Sequence, residues 1–526
     1  MPTPVKAGVL KEYLQASGYS ESKTQFLFDG FSKGFRLQHW GDPCVLTEKN
    51  AKSVGEKEEI VWDKIQHEIG MSRIAGPFDE PPFSPFQVSP LDIREKKQPG
   101  KHRLIHNLSY PYDQTAVNSN IADEDKTVKY ATIFDAVNLV TSSSTQAYMA
   151  KTDIKDAFRL ICISPKDYAK LGFVFRGKYY HDKVLPMGCG SSCKIFETFS
   201  SGLQHVFESL CPGSKVVHML DDFLFVADEE EVCKRHLEIF LEMCKTIGVP
   251  IAKEKTSLPA KVMCFLGVEL DSVYGCCRLP QDKVQSYASV LHDFLDRKRA
   301  TKHELQSLVG KLSFAVSVVP GRPFLRRLID VMTTVKKQCH FVNIGPELKK
   351  DLRTWLTFLS RYNGVTYFRM LSVSTDEIRM CSDASFMGFG ATFGKKWLQA
   401  RYPENWQSMG ITVLEFFPIL VLVSMFSDRL ANTNVLWLCD NEAVTVIINK
   451  QTSKNKNVMV IMRDLVLILM RQNIYLKAEH LPGLSNHVCD TISRFHVTED
   501  FLRENGLDHK PTMIAMRLLP SNYVIS

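Results

Sequence analysis

The sequence predicts a multidomain α/β (α+β) chain, and three observations lead there. Its 526 residues suffice for three or four separately cored domains. Strand-like and helix-like segments alternate from about residue 101 to 280. From Met380 the pattern restarts with a hairpin, an apolar helix from about Thr412 and the buried strand VLWLCD. A hydrophobic fraction of 44% and a charged fraction of 23% exclude a mainly disordered chain. The net charge of +7 suits contact with a polyanion without requiring it.

Residues 55–74 (GEKEEIVWDKIQHEIGMSRI) have helical spacing. They run into GPFDEPPFSPFQVSP, whose five prolines between Pro77 and Pro90 argue against regular structure and for a boundary or extended arm. Thr301 and Glu304 form a capping box ahead of Leu305, Leu308, Val309 and Leu312 at helical spacing, which predicts a helical domain over 285–365. The second α/β domain runs to about 494, and the tail 497–526 has no clear pattern. The 14 cysteines include no paired C-x-x-C set and read as reduced thiols of an intracellular protein, in cytoplasm or nucleus. No signal-peptide pattern opens the chain. The longest apolar run, 411–426, carries Glu415 and reads as too short and too acidic to span a bilayer, so no membrane partner is expected.

Two features carry chemistry. Residues 216–226 (VVHMLDDFLFV) are apolar strand-like runs meeting at Asp221 and Asp222. Adjacent carboxylates repel, so the pair is comfortable only under a cation, most simply a divalent metal; an acidic turn facing water is the alternative. Asp153, which ends AYMAKTD, is a candidate third ligand, or else a strand-end turn residue. Three carboxylates can hold two ions, the arrangement that serves in-line phosphoryl transfer. Upstream, Arg94, Lys96, Lys97, Lys101 and Arg103 crowd ten residues, a run ordinarily explained as a solvated basic loop.

The segments DIKDAF (153–158), LPMG (185–188), LDD (220–222), Lys255-Thr256 and FLG (265–267) follow in the order of the palm motifs of reverse transcriptases, and the chain resembles that family over about residues 90–495. The run GKLSFAVSVVPGRPFLRRLID resembles DIRS-type retrotransposons, which use a tyrosine recombinase. The resemblance implies a right-hand polymerase: a helical segment and Pro-rich arm over 1–89, fingers and palm over 90–284, and thumb or connection helices over 285–370. It makes Asp153 and Asp221 the principal metal ligands, with Asp222 completing the cluster. It sets Phe158 beneath the incoming sugar, where a ring collides with a 2′-hydroxyl; an ordinary core Phe is the alternative. Lys101 and Arg103 match the cations that grip the triphosphate, and Lys255 the lysine that assists the leaving pyrophosphate. Gly188 would let the backbone approach template and nucleotide closely.

After residue 375 stand Asp383 in the first strand, Glu415 in an apolar helix, Asp440 ending the strand VLWLCD, and Asp490 in HLPGLSNHVCDTISR. Each has a plain reading: a turn residue for Asp383, a capping partner of Thr412 for Glu415, and helix caps for Asp440 and Asp490. Together they resemble the Asp-Glu-Asp-Asp set of ribonuclease H, over 371–496, with the 497–526 tail beyond. His480 and Asn486 precede Asp490 as in retroelement members, and such a histidine can shuttle protons or be a loop residue. The implied function is RNA-directed DNA synthesis coupled to removal of the RNA strand. It calls for two Mg2+ per site (Mn2+ as the alternative ion), an RNA template, a DNA primer, deoxynucleoside triphosphates and an RNA–DNA hybrid. A domesticated protein that binds nucleic acid without turnover is the competing expectation. Met219, Cys193, Asn107 and Cys489 depart from the family pattern but remove no ligand. No recombinase segment with its tyrosine precedes Ser526, as expected of a polyprotein fragment or a truncated element.

Overall fold

The computed structural model describes residues 1–95, 100–143, 146–319, 321–363, 366–368, 371–374, 377–480 and 486–525. Lys96 and Lys97 of the basic run lie outside them. The chain folds as two units, Met1–Leu266 and Gly267–Ser526, a division that falls inside the segment assigned above to fingers and palm.

In the first unit the strands Tyr148–Asp153 and Asp222–Ala227 are buried almost throughout, the pattern of strands covered on both faces rather than one. They form the centre of a four-stranded antiparallel sheet, ordered Ser257–Ala260, Tyr148–Asp153, Asp222–Ala227, Lys215–Met219. Helices Ser192–Leu210 and Glu230–Ile247 pack on this sheet. Between them Phe225 is fully buried, its ring 5.1 Å from Phe207 and 5.2 Å from Phe240. The N-terminal helices Ala7–Ala16 and Glu21–Lys33 join the same core through Leu14 and Leu27, which meet the helix Ser192–Leu210 at Gly202.

A five-stranded sheet, ordered Leu46–Thr47, Gln87–Val88, Gly172–Phe175, Lys178–Asp182, Ile74–Phe78, makes a second layer of this unit. The helix expected over 55–74 is two helices, Lys52–Glu56 and Glu58–Gly70, interrupted at Lys57, and residue 74 already begins a strand. The proline-rich stretch is not devoid of regular structure: it contributes Ile74–Phe78 and Gln87–Val88. Pro77 is tolerated because its strand is an edge strand, where a missing N–H leaves no ladder bond unmade. The basic run belongs to a hairpin, Leu91–Glu95 with His102–His106, and Arg94 stands directly opposite Arg103.

In the second unit Thr301 accepts from the Glu304 N–H while the Glu304 carboxylate takes the Thr301 N–H, so the capping box opens the helix Lys302–Ala315 as the sequence predicts. Helices Gln281–Asp296, Arg326–Thr333 and Pro346–Arg361 accompany it. Beyond them an antiparallel sheet of Met380–Ala384, Gly388–Phe393 and Lys396–Arg401 lies beside a parallel one of Leu371–Ser374, Thr433–Cys439 and Tyr475–His480. The apolar helix Ile411–Phe426 packs against the first of these sheets. A following 3-10 turn extends the helical stretch to Arg429, 19 residues, long and apolar enough by composition to cross a membrane, with 61% of its apolar window buried inside the fold. The tail does have structure. Helix Glu499–Glu504 is capped by Thr498, and Asp508 and Thr512 donate backbone N–H groups to Lys395 and Trp397. Every cysteine is a free thiol.

Because Phe225 lies between two helices and the sheet, Phe225→Ala should lower the stability of the first unit by about 3–5 kcal/mol. Urea unfolding followed through that unit's transition measures it; a loss under about 1 kcal/mol would mean the core closes around the gap.

Candidate active site

The first acidic cluster is a product of strand register. Asp222 pairs with Met219 across a two-residue turn and with Asp153 across the neighbouring strand. Directly opposed residues in an antiparallel pair have Cα atoms about 4.5–5.5 Å apart, so the ladder brings the Asp153 and Asp222 carboxylates together whatever their charge. Asp221 projects from the turn, whose other residue, Leu220, has φ of +54°. A branched residue in the left-handed region costs about 1–3 kcal/mol. The Asp221 carbonyl accepts the Ile154 N–H at 2.9 Å, which ties the turn to the end of the Asp153 strand.

Burial first, and then the charge of Asp153, push the Asp221 carboxyl up to about 6. The same two causes raise Asp222. Lys255 lies on Asp153, Nζ to Oδ2 at 2.6 Å, while its own side chain is 56% exposed. Among the described residues no group of three His, Cys, Asp or Glu side chains is arranged to hold a metal ion. The acids are gathered, but Lys255 occupies one of their oxygens.

Phe158 sits in the turn Ala157–Leu160, half-buried, with its ring edge-on to Phe196 at 5.6 Å. Lys101 and Arg103 are exposed on the hairpin, without an ion pair among the described residues. Arg94 does have one, to Asp92 at 2.7 Å. Gly188 has φ of +124°, and a Cβ there would stand 2.1 Å from the His106 carbonyl oxygen. The close approach at this glycine is therefore to the protein's own hairpin. The Asn118 side-chain amide also donates to the Gly188 carbonyl at 2.7 Å. Of the unusual residues, Met219 faces Asp222 across the turn and Asn107 accepts the Ser109 N–H.

The second cluster is gathered from four elements. Asp383 lies in the strand Met380–Ala384 rather than in a turn. Glu415 is inside the helix Ile411–Phe426, whose N-cap is Gly410, so it is not the capping partner of Thr412. Asp440 follows the strand Thr433–Cys439, and the cap of the next helix is Asn441 itself. Asp490 lies within the helix His487–Ser493 instead of capping it. That helix comes close because residue 390, opposite Asp383, is glycine: a Cβ there would stand 2.5 Å from the Ser493 nitrogen.

Burial, opposed by a hydrogen bond from Ser493 and reinforced by the charges of Asp440 and Asp490, raises Asp383 to about 6. Burial, with Asp440 and Asp383 adding to it against an Asn441 hydrogen bond, raises Glu415 to about 7. Ser493 Oγ donates to Asp383 at 2.6 Å, the Asn486 amide to Asp440 at 3.1 Å, and Arg494 pairs with Asp490 at 2.7 Å. His480 is exposed at the end of its strand, in register with Cys439, one residue before Asp440. Ser493 and Arg494 escaped the sequence reading, although both follow Asp490 at helical spacing of three and four residues.

Residues 94–270 match the family model described as reverse transcriptase (RNA-dependent DNA polymerase). The chain is 22% identical over 386 residues to a putative enzymatic polyprotein of Cassava vein mosaic virus, covering 71% of this chain and 56% of that one. It is 23% identical over 292 residues to the enzymatic polyprotein of Cauliflower mosaic virus, covering 54% and 38%. The chain thus spans about half or less of the length of these relatives. Among solved structures it is similar to a foamy viral protease–reverse transcriptase in complex with double-stranded DNA, with a TM-score of 0.50 and 14% identity over 90% of this chain and 82% of the other. A second, in complex with an RNA/DNA hybrid, has a TM-score of 0.50 and 15% identity, covering 97% and 65%. The shared fold is that of a polymerase domain followed by a further α/β domain.

A carboxyl raised from 3.8 to about 6 on folding binds its proton more tightly in the folded state. Its contribution to stability is complete below about pH 4 and is lost as pH rises to about 6. Asp221→Asn removes that loss, so without divalent ions the variant should gain stability over the parent between pH 4 and 6 and keep a constant advantage above. Thermal melts in a chelator across this range check it; a flat difference would mean that Asp221 titrates normally.

Proposed function

We propose that the chain is an RNA-directed DNA polymerase whose second unit cuts the RNA strand of the resulting RNA–DNA hybrid. The observation that carries this reading is the strand register that sets Asp222 opposite Asp153 beside the Asp221 turn, within the segment matching the reverse transcriptase model. Exposed, and without an ion pair among the described residues, Lys101 and Arg103 are suited to grip a triphosphate. Phe158 bars a 2′-hydroxyl, which selects deoxynucleotides. Lys255, on Asp153 and 56% exposed, would give its proton to departing pyrophosphate.

The donor set fits hard divalent ions, because it is all carboxylate and crowded, and is raised by burial first and by the charge of Asp153 second. Two Mg2+ held by Asp153, Asp221 and Asp222 would activate the primer hydroxyl and offset charge on the leaving group, with Mn2+ as the alternative ion. Asp383, Glu415, Asp440 and Asp490 offer the same donor chemistry in the second unit. There His480 would move the proton of the leaving group. In this reading residues 90–284 are fingers and palm, 285–370 thumb or connection, and 371–496 the ribonuclease H-like domain. The run from Gly310 to Asp330 supports kinship with DIRS-type elements. The partners are an RNA template, a DNA primer, deoxynucleoside triphosphates and the hybrid, inside the cell, in cytoplasm or nucleus. Contacts to the duplex are backbone-directed and weaken steeply with salt.

One observation favours a second reading, a domesticated protein that binds nucleic acid without turnover. Lys255 on Asp153 and Arg494 on Asp490 already neutralise part of each cluster from within. Primer extension on an RNA template with Mg2+ separates the two. The parent should extend, and Asp221→Asn should fall by about a hundredfold or more; a parent that binds primer–template without extending it is the domesticated protein. Independently, Asp440→Asn should abolish cutting of RNA in a hybrid while sparing synthesis. Cutting that persists in this variant would remove the second cluster from the mechanism.

A further inference from the structure

A charged network that neither acidic cluster uses runs through the first unit. Arg159, one residue beyond Phe158, carries a side chain only 14% exposed. Its Nε and Nη2 bond to Glu68 Oε2 at 2.9 and 2.7 Å, and its Nη1 bonds to Asp182 Oδ1 at 2.8 Å. Glu68 comes from the helix Glu58–Gly70 and Asp182 from the end of the strand Lys178–Asp182. The other Asp182 oxygen meets His106 Nδ1 at 3.0 Å, and His106 ends the hairpin strand that carries Arg103. Upstream of the turn, Arg73 reaches Asp156 at 3.2 Å, with Glu68 at 3.9 Å. Asp156 itself has φ of +58° and accepts the Arg159 N–H through its carbonyl.

The turn bearing Phe158 is therefore gripped at both ends by buried arginines that share Glu68. Such a charge is costly to bury unless every donor is satisfied, and Arg159 spreads its guanidinium over two carboxylates from different elements. Lysine has three donors but no planar fork, so it cannot reproduce this spread geometry from one position. The half-buried ring packs against the core, perpendicular to Phe196 at 5.6 Å. We infer that Arg159 is a positioning residue for Phe158: by bridging Glu68 and Asp182 it fixes the turn that aims the ring, and so sets discrimination between deoxynucleotides and ribonucleotides. The inference rests on the polymerase reading above and extends it to a residue that touches no substrate.

The test is the ratio of kcat/KM for a deoxynucleotide to that for the matching ribonucleotide, in single-nucleotide primer extension with the full chain. Phe158→Val should lower the ratio by removing the ring. Arg159→Lys should lower it by about tenfold, inside the hundredfold that a misplacement of about 1 Å can cost. Asp182→Asn, which retains shape and hydrogen-bonding capacity, should lower it in the same direction and serves if Arg159→Lys folds poorly. In the Phe158→Val background Arg159→Lys should change the ratio no further, because both act through one ring. A parental ratio in both network variants, or an equal extra drop in the Phe158→Val background, overturns the inference while leaving the polymerase reading intact. A parent that extends no primer overturns both.

Discussion

Two carboxylates that repel each other stand side by side because the backbone ladder between Tyr148–Asp153 and Asp222–Ala227 leaves them no other place. The rest of the first unit can be read as what makes this register irreversible. A slip by one residue would exchange Phe223 and Phe225 with Leu224 and Val226 between two faces that are both fully packed. The apolar packing beneath the sheet thus exceeds the repulsion above it. Held there, the acids are raised by burial first and by the charge of Asp153 second.

The second unit reaches the same end by another route. Its acids come from a strand, a helix, a strand end and a second helix, so no single register can set them. Close packing replaces it. Gly390 admits the helix His487–Ser493 against the strand of Asp383, and Ser493 then bonds to Asp383 directly. The first cluster is secured by hydrogen-bond geometry, the second by the absence of a side chain.

Much of this was legible beforehand, and what was not has identifiable causes. The acids could be read because charge inside apolar runs is conspicuous, and the Thr301 capping box because its two residues suffice to define it. The strand Tyr475–His480 and the tail could not, since one alternates weakly and the other is held by backbone bonds to Lys395 and Trp397. Pro77 misled because an edge strand forgives what a central one does not. The plain alternative of helix caps for Glu415, Asp440 and Asp490 is excluded for one reason: in each case a neighbouring residue or the helix interior takes the place. Arg159 gave a fair warning that went unread, a cation inside the apolar run DAFRLICI that could be buried only with partners.

Leu220 acts on the acidic turn as a mechanical part. Its backbone is in a region glycine would occupy without cost, yet its side chain packs against the core and the strands on either side are paired. A glycine would relax the backbone and surrender the anchor. The acidic turn is in effect a stiff, preloaded joint with no soft direction in which to drift. The backbone spacing of the three aspartates therefore lasts as long as the strand ends on either side stay paired.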